Sequence, residues 1–193
     1  MGNRVYKISS TQGTRKYIVD IAGGLPTILC EIDPCEADPN RSLKKAYYYA
    51  NAQILAQYDC NGLDDNNEVV IDGKYFYIHD RLGSVRLVVN DVGDVNNSYT
   101  YNPYGEDLAT EVSETVYNPF KFTGQWFDDE IGQYYLRARM YDPALMRFTG
   151  RDPVKGKSQQ PLTFNPYLYC QNDPIDNIDP VDANWLTICV KLF

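Results

Sequence analysis

Residues 134–180 read YYLRARMYDPALMRFTGRDPVKGKSQQPLTFNPYLYCQNDPIDNIDP, and their punctuation decides the fold. Three Asp-Pro steps frame the stretch, Asp142-Pro143, Asp152-Pro153 and Asp179-Pro180, with Asn165-Pro166 and Asp173-Pro174 between them. Each proline fixes its own φ and drives the preceding residue towards extended geometry, while Asp and Asn accept local backbone hydrogen bonds. The stretch is therefore expected to be short extended pieces joined by turns. It also holds the arginine and aspartate constellation best placed to carry chemistry.

Working outward, the 193 residues suffice for a domain with a core, and a hydrophobic content of 44% is ordinary for a folded protein. Seventeen tyrosines are the anomaly. Tyrosine favours strands and half-buried faces, so it points to sheets. The net charge of -8 opposes a phosphate-tracking surface, because nonspecific nucleic-acid binding rests on clustered Lys and Arg. Nucleic acid is not an expected partner. Nothing in MGNRVYKISSTQG resembles a signal peptide, and no run has the length of a membrane span. The cysteines Cys30, Cys35, Cys60, Cys170 and Cys189 form no CxxC pair, and with a single histidine, His79, no metal site or cofactor is expected. Cys30 and Cys35 flank an Asp33-Pro34 turn and read as two thiols, with a disulfide as the alternative.

A loose unit repeats along the chain: a tyrosine-rich run, a turn containing Asp, Asn or Gly, and a second run. Its clearest copies are Tyr17-x-x-Asp20-x-x-Gly23 and Tyr77-x-x-Asp80-x-x-Gly83, with KAYYYANAQILAQYD a degenerate copy turning near Asn51. Gly23-Gly24 and Gly83 suit hairpin turns, and alternation after Gly83 is expected to place Val85, Leu87 and Val89 on one face. Tyr99 and Tyr101 then lead into an Asn102-Pro103 turn closed by Gly105. The acidic runs 59–72 and 111–116 read as solvated loops without the spacing of an EF-hand. Hairpins of this size cannot each bury a core alone, so neighbours must pair. Gly2 to Val5 looks like the second half of a unit, so Met1 is expected to begin inside a repeat of a longer array.

Several blocks resemble the RHS or YD-repeat family, in particular its C-terminal core-associated domain: Tyr75-Phe76-Tyr77-Ile78-His79-Asp80-Arg81-Leu82-Gly83-Ser84-Val85-Arg86, Tyr101-Asn102-Pro103-Tyr104-Gly105-Glu106, Phe122-Thr123-Gly124-Gln125 and Tyr135-Leu136-Arg137-Ala138-Arg139-Met140-Tyr141-Asp142-Pro143. Arg147-Phe148-Thr149-Gly150-Arg151-Asp152-Pro153, Asn165-Pro166-Tyr167-Leu168-Tyr169 and Asn172-Asp173-Pro174 follow in order, closing at Asp179-Pro180. The resemblance implies an all-β fold: a YD-repeat hairpin array, part of a shell, ending in a turn-rich plug. It divides the chain into YD-type repeats at 1–73, the core-associated domain at 74–180 and a short tail at 181–193.

In bacterial toxins of this kind, and more distantly in teneurins, the strip spirals into a hollow shell that in bacterial members encloses a C-terminal toxin. The partners implied are an upstream YD-repeat shell and such a toxin cargo, and the location implied is secreted or cell-surface. The family plug is also an aspartic autoprotease. By position its residues are Arg139, Asp152 and Asp179, with the cut between Ala183 and Asn184. Two carboxylates brought together do not both ionise readily, so one holds a proton while the other activates water, and a guanidinium orients or stabilises charge.

The terminal motif departs from the family's DPxGL: it reads DPVDA, with Asp182 and Ala183 in the last two places, and only ten residues follow. The expected function is therefore structural closure of a shell, with any enzyme activity limited to self-cleavage and the aspartates otherwise forming turns. The third reading is an adhesion or carbohydrate-binding β-module that uses the tyrosine faces, with cell-surface glycans or proteins as partners. Trp185 to Phe193 reads as one strand, as a plug in the lumen, or as sequence foreign to the family. His79 is expected to pack within its hairpin.

Overall fold

The computed structural model describes residues 4–10, 13–22, 26–51, 53–156, 158–179 and 190–191. Among them the regular structure is all β, with five short 3-10 turns and no α-helix. The chain forms two compact units, Met1–Ile78 with Leu87–Asn96, and His79–Arg86 with Asn97–Phe193.

The first unit is a meander in which each strand pairs antiparallel with the next. Its strands are β1 (Tyr6–Ser9), β2 (Gly13–Asp20), β3 (Thr27–Ile32), β4 (Leu43–Ala50), β5 (Gln53–Leu63) and β6 (Val69–His79). Register places Tyr17, Glu31, Lys45 and Asp59 in one cross-strand row, and Tyr47, Gln57 and Tyr75 in another. On every second strand one tyrosine is buried: Tyr17, Tyr47 and Tyr77. Their hydroxyls need partners once out of water. Tyr47 donates to the buried Glu31 carboxylate, and Tyr77 donates to Gln57 Oε1 at 2.6 Å. Burial pushes the Glu31 carboxyl up, against the opposing pull of the Tyr47 bond and of Lys45 and Arg15.

Two expectations change here. The run 59–72 is mostly strand, because β5 continues to Leu63 and β6 begins at Val69, leaving only a tight turn. Asp64 Oδ1 closes that turn by accepting from the Asn66 and Glu68 amides at 2.8 and 2.9 Å, with Asn67 at φ 60°. Polarity along a two-sided hairpin imitated a loop. Second, β7 (Val85–Asn90) buries Val85 and Val88 rather than Val85, Leu87 and Val89. The boundary between the units falls within the strand after Arg86, so Val85 belongs to one unit and Val88 to the other. The Asn51 turn lies where expected, between β4 and β5, while residues 23–25 of the Gly23-Gly24 turn fall outside the described residues. Cys30 and Cys35 are free thiols.

β8 (Val95–Ser98) pairs through Asn97 and Ser98 with the two-residue β9 (Ser113–Glu114), so the second acidic run also contains paired backbone. The turn grammar has a physical basis in the second unit. Asp80 and Asn102 each accept two backbone amides on the side-chain oxygen and a third, from the glycine three residues on, on the carbonyl. Gly83 and Gly105 sit at φ 82° and 87°, the left-handed region that closes these turns. Then come β10 (Trp126–Asp128), β11 (Gln133–Leu136), β12 (Arg139–Asp142) and β13 (Arg147–Phe148), a four-stranded antiparallel sheet. Its face carries the core: Phe122, Tyr134, Leu136, Tyr141, Phe148 and Tyr169 with Cys170. Tyr141 stacks on Tyr169 with centroids 4.1 Å apart, while the Tyr134 and Tyr141 hydroxyls donate to the carbonyls of Gly105 and Tyr104 at 2.9 and 2.7 Å. Finally β14 (Asn177–Ile178) pairs antiparallel with β15 (Val190–Lys191), the described part of the tail.

Candidate functional site

The residues Arg139, Asp152 and Asp179, far apart in sequence, are brought together in the second unit. A two-residue turn, with Arg137 at φ 52°, folds β12 back on β11 and starts the new strand at Arg139. The Arg139 guanidinium carbon lies 3.6 Å from the centroid of the buried Phe148 ring, which fixes the plane of the fork. Asp152 is held from both ends. Its amide donates to the Pro166 carbonyl at 2.9 Å, and its Oδ1 accepts from the Val154 amide at 2.8 Å. The remaining oxygen, Oδ2, meets Arg139 Nη1 at 2.9 Å.

Arg139 Nη2 points to the second carboxylate, with Asp179 Oδ2 at 3.7 Å. One guanidinium thus bridges both acids, tightly on one side and loosely on the other. Burial pushes the Asp179 carboxyl up to about 6, with Asp152 adding to the rise and Arg139 opposing it. Asp179 therefore keeps its proton up to about pH 6, while Asp152 Oδ2 makes the short contact with the guanidinium. Such an asymmetric pair can supply an acid and a base to a carbonyl placed between them. The Ala183–Asn184 bond lies outside the described residues.

Sequence reading passed over a second polar centre. Lys121 is only 5% exposed, in the segment Asn118-Pro119-Phe120-Lys121-Phe122, and is ringed by Asp107, Glu114 and Asp129. The flanking phenylalanines, both buried, were the available signal, since a lysine between them is held by its neighbours' packing. Its partners, however, come from three separate places, a bridge residue after the Asn102 turn, strand β9 and the turn after β10. Among the described residues no cluster of His, Cys, Asp and Glu suits a metal ion, and no helix is long and apolar enough to cross a membrane.

The teneurin YD-shell family model matches residues 41–175. Over 157 residues the chain is 33% identical to the tRNA3(Ser)-specific nuclease WapA of Bacillus spizizenii, a match covering 81% of this chain and 6% of that protein. It is 38% identical over 111 residues to salivary gland surface protein 1 of Aedes aegypti, covering 56% of this chain and 3% of that one. The chain therefore corresponds to a small fraction of these relatives. Among solved structures, the Tc holotoxin pore of Photorhabdus luminescens superposes with a TM-score of 0.64 at 18% identity, over all of this chain and 9% of that one. The TcdB2-TccC3 crystal structure gives 0.59 at 18% identity, over 91% of this chain and 8% of that one.

Proposed function

The chain belongs to the teneurin YD-shell family, and from that membership we propose that it is the closing segment of a YD-repeat shell of polymorphic-toxin type. The observation that carries this reading is the pairing pattern of the first unit, where every strand joins only its sequence neighbours and the row of hairpins extends by adding another. The second unit, held by turns and an aromatic core rather than by long strands, suits a seal. Its partners on this reading are upstream YD repeats and an enclosed toxin, in an exported or surface-displayed protein. The test mixes the purified chain with a WapA-type shell from which the corresponding segment has been deleted. Co-elution as one complex, with a fluorescent cargo shielded from protease, is expected. Separate elution with an unprotected cargo refutes it.

A second reading is favoured by the Arg139 bridge: aspartic self-cleavage. In it Asp179 provides the proton, Asp152 activates water, and Arg139 holds both and offsets negative charge on the attacked carbonyl. The intact mass of the purified chain beside an Asp152→Asn variant tests it. Loss of the ten residues after Ala183 only in the unaltered chain supports cleavage, and two full-length masses leave the bridge structural.

A further inference from the structure

Lys121 sits where an amine meets an acid under dry, aromatic walls. Its Nζ lies 3.2 Å from Glu114 Oε2, 3.5 Å from Asp107 Oδ2 and 3.8 Å from Asp129 Oδ1. The rings of Phe127 and Tyr99 flank it at 5.0 and 5.4 Å. Asp107 uses Oδ2 towards the lysine, while its Oδ1 is buried without a hydrogen-bond partner. Leaving a buried carboxylate oxygen unsatisfied is costly, and amide formation relieves that cost if this oxygen is the one that departs as water.

We propose that Lys121 and Asp107 join in an intramolecular isopeptide bond, formed without a cofactor, with Glu114 as the proton carrier. Asp107 is the acyl partner because it combines contact with Nζ and the unsatisfied oxygen, and burial raises its carboxyl towards the neutral form that can lose hydroxyl as water. Glu114 is the carrier because it is nearest to Nζ and its Oε1 is fixed by the Asn118 amide at 3.3 Å.

At rest the amine is an ammonium, since its three carboxylates outweigh the burial that opposes the charge. The reaction therefore begins with proton transfer from Nζ to Glu114, leaving both groups neutral in a poorly solvated site. The amine lone pair attacks Asp107 Cγ and forms the N–C bond. Glu114 returns its proton to the departing hydroxyl and takes one from the attacking nitrogen, the C–O bond breaks, and water leaves. The balance is one ammonium and one carboxylic acid giving one amide, one water and one proton held by Glu114 and then released. Nothing is oxidised or reduced. The product closes a covalent loop between positions 14 apart, tying the turn after β8 to the segment that enters β10.

The test is the mass of the folded, purified chain under denaturing conditions. The expected result is a chain lighter by one water, with a branched tryptic peptide containing Asp107 and Lys121 and no cleavage at Lys121. Lys121→Arg, which keeps the cation, and Glu114→Gln, which keeps the shape, are expected at full mass. Circular dichroism establishes that each variant is folded. A folded wild type at full sequence mass, cut normally at Lys121, overturns the proposal. So does a water loss that persists in Lys121→Arg, because it would come from succinimide at a site such as Asp72-Gly73. An intact cross-link in Glu114→Gln overturns the role of Glu114 as the carrier.

Discussion

Asp179 should make the stability of this protein depend on pH in a direction opposite to that of most aspartates. Burial raises its carboxyl from an ordinary 3.8 to about 6. A carboxyl that binds its proton more tightly when folded stabilises the folded state fully below the lower value, and the contribution is lost as pH rises through the higher one. At about 1.4 kcal/mol for each pH unit between the two values, the full loss is about 3 kcal/mol. Asp179→Asn imitates the protonated acid and removes the titration. Urea unfolding of both proteins from pH 4 to pH 7.5 isolates the effect, because Glu31 and Asp107, also raised by burial, titrate alike in each and cancel in the difference. The asparagine variant should gain on the wild type by about 2.5 kcal/mol across that window, with most of the gain between pH 4 and pH 6.5. A difference that stays constant with pH would refute the assignment of a raised, buried carboxyl at this position.

Replacing Arg139 by leucine leaves two acids facing each other without their bridge. A loss of about 2–4 kcal/mol at pH 7, shrinking as the pH is lowered and the acids protonate, is expected in the same unfolding assay. Gly105→Ala puts a methyl 2.4 Å from Phe122 Cδ1 at a φ of 87°, so thermal melting should fall by about 6–12 °C, the equivalent of about 3 kcal/mol. Tyr134→Phe removes the donor to the Gly105 carbonyl and keeps the ring, so a smaller cost of about 1–2 kcal/mol in urea unfolding is expected.

Much of the architecture was legible because it is written in local chemistry. Asp80 and Asn102 carry their turns on their own side chains and require a glycine three residues later, so the spacing itself specifies a hairpin. The tyrosine at the start of each unit is buried on alternate strands. Where reading failed, the deciding interaction was not local. Asp59 to Leu63 looks like loop because its residues are polar, yet the strand continues there because a partner strand satisfies its backbone. Lys121 has only its flanking phenylalanines to signal burial, since its neutralising carboxylates lie on three other segments of the chain.

The same limit explains why the Asp-Pro steps, so plain in the sequence, do not by themselves identify a site. Asp142 and Asp173 precede prolines and spend a carboxylate oxygen on closing a turn, to the amides of Leu145 and Asp176. Asp152 does this as well, through Oδ1 to Val154, and differs only because Oδ2 is turned to Arg139. A turn-forming aspartate has an oxygen to spare, so a strand that delivers a guanidinium to it converts structural punctuation into half of a charged pair. Asp179 completes the pair because the fold sets it beside the same guanidinium, where burial outweighs the pull of Arg139 and raises its carboxyl to about 6. Turn and site are therefore the same residues, distinguished by what β12 brings to them.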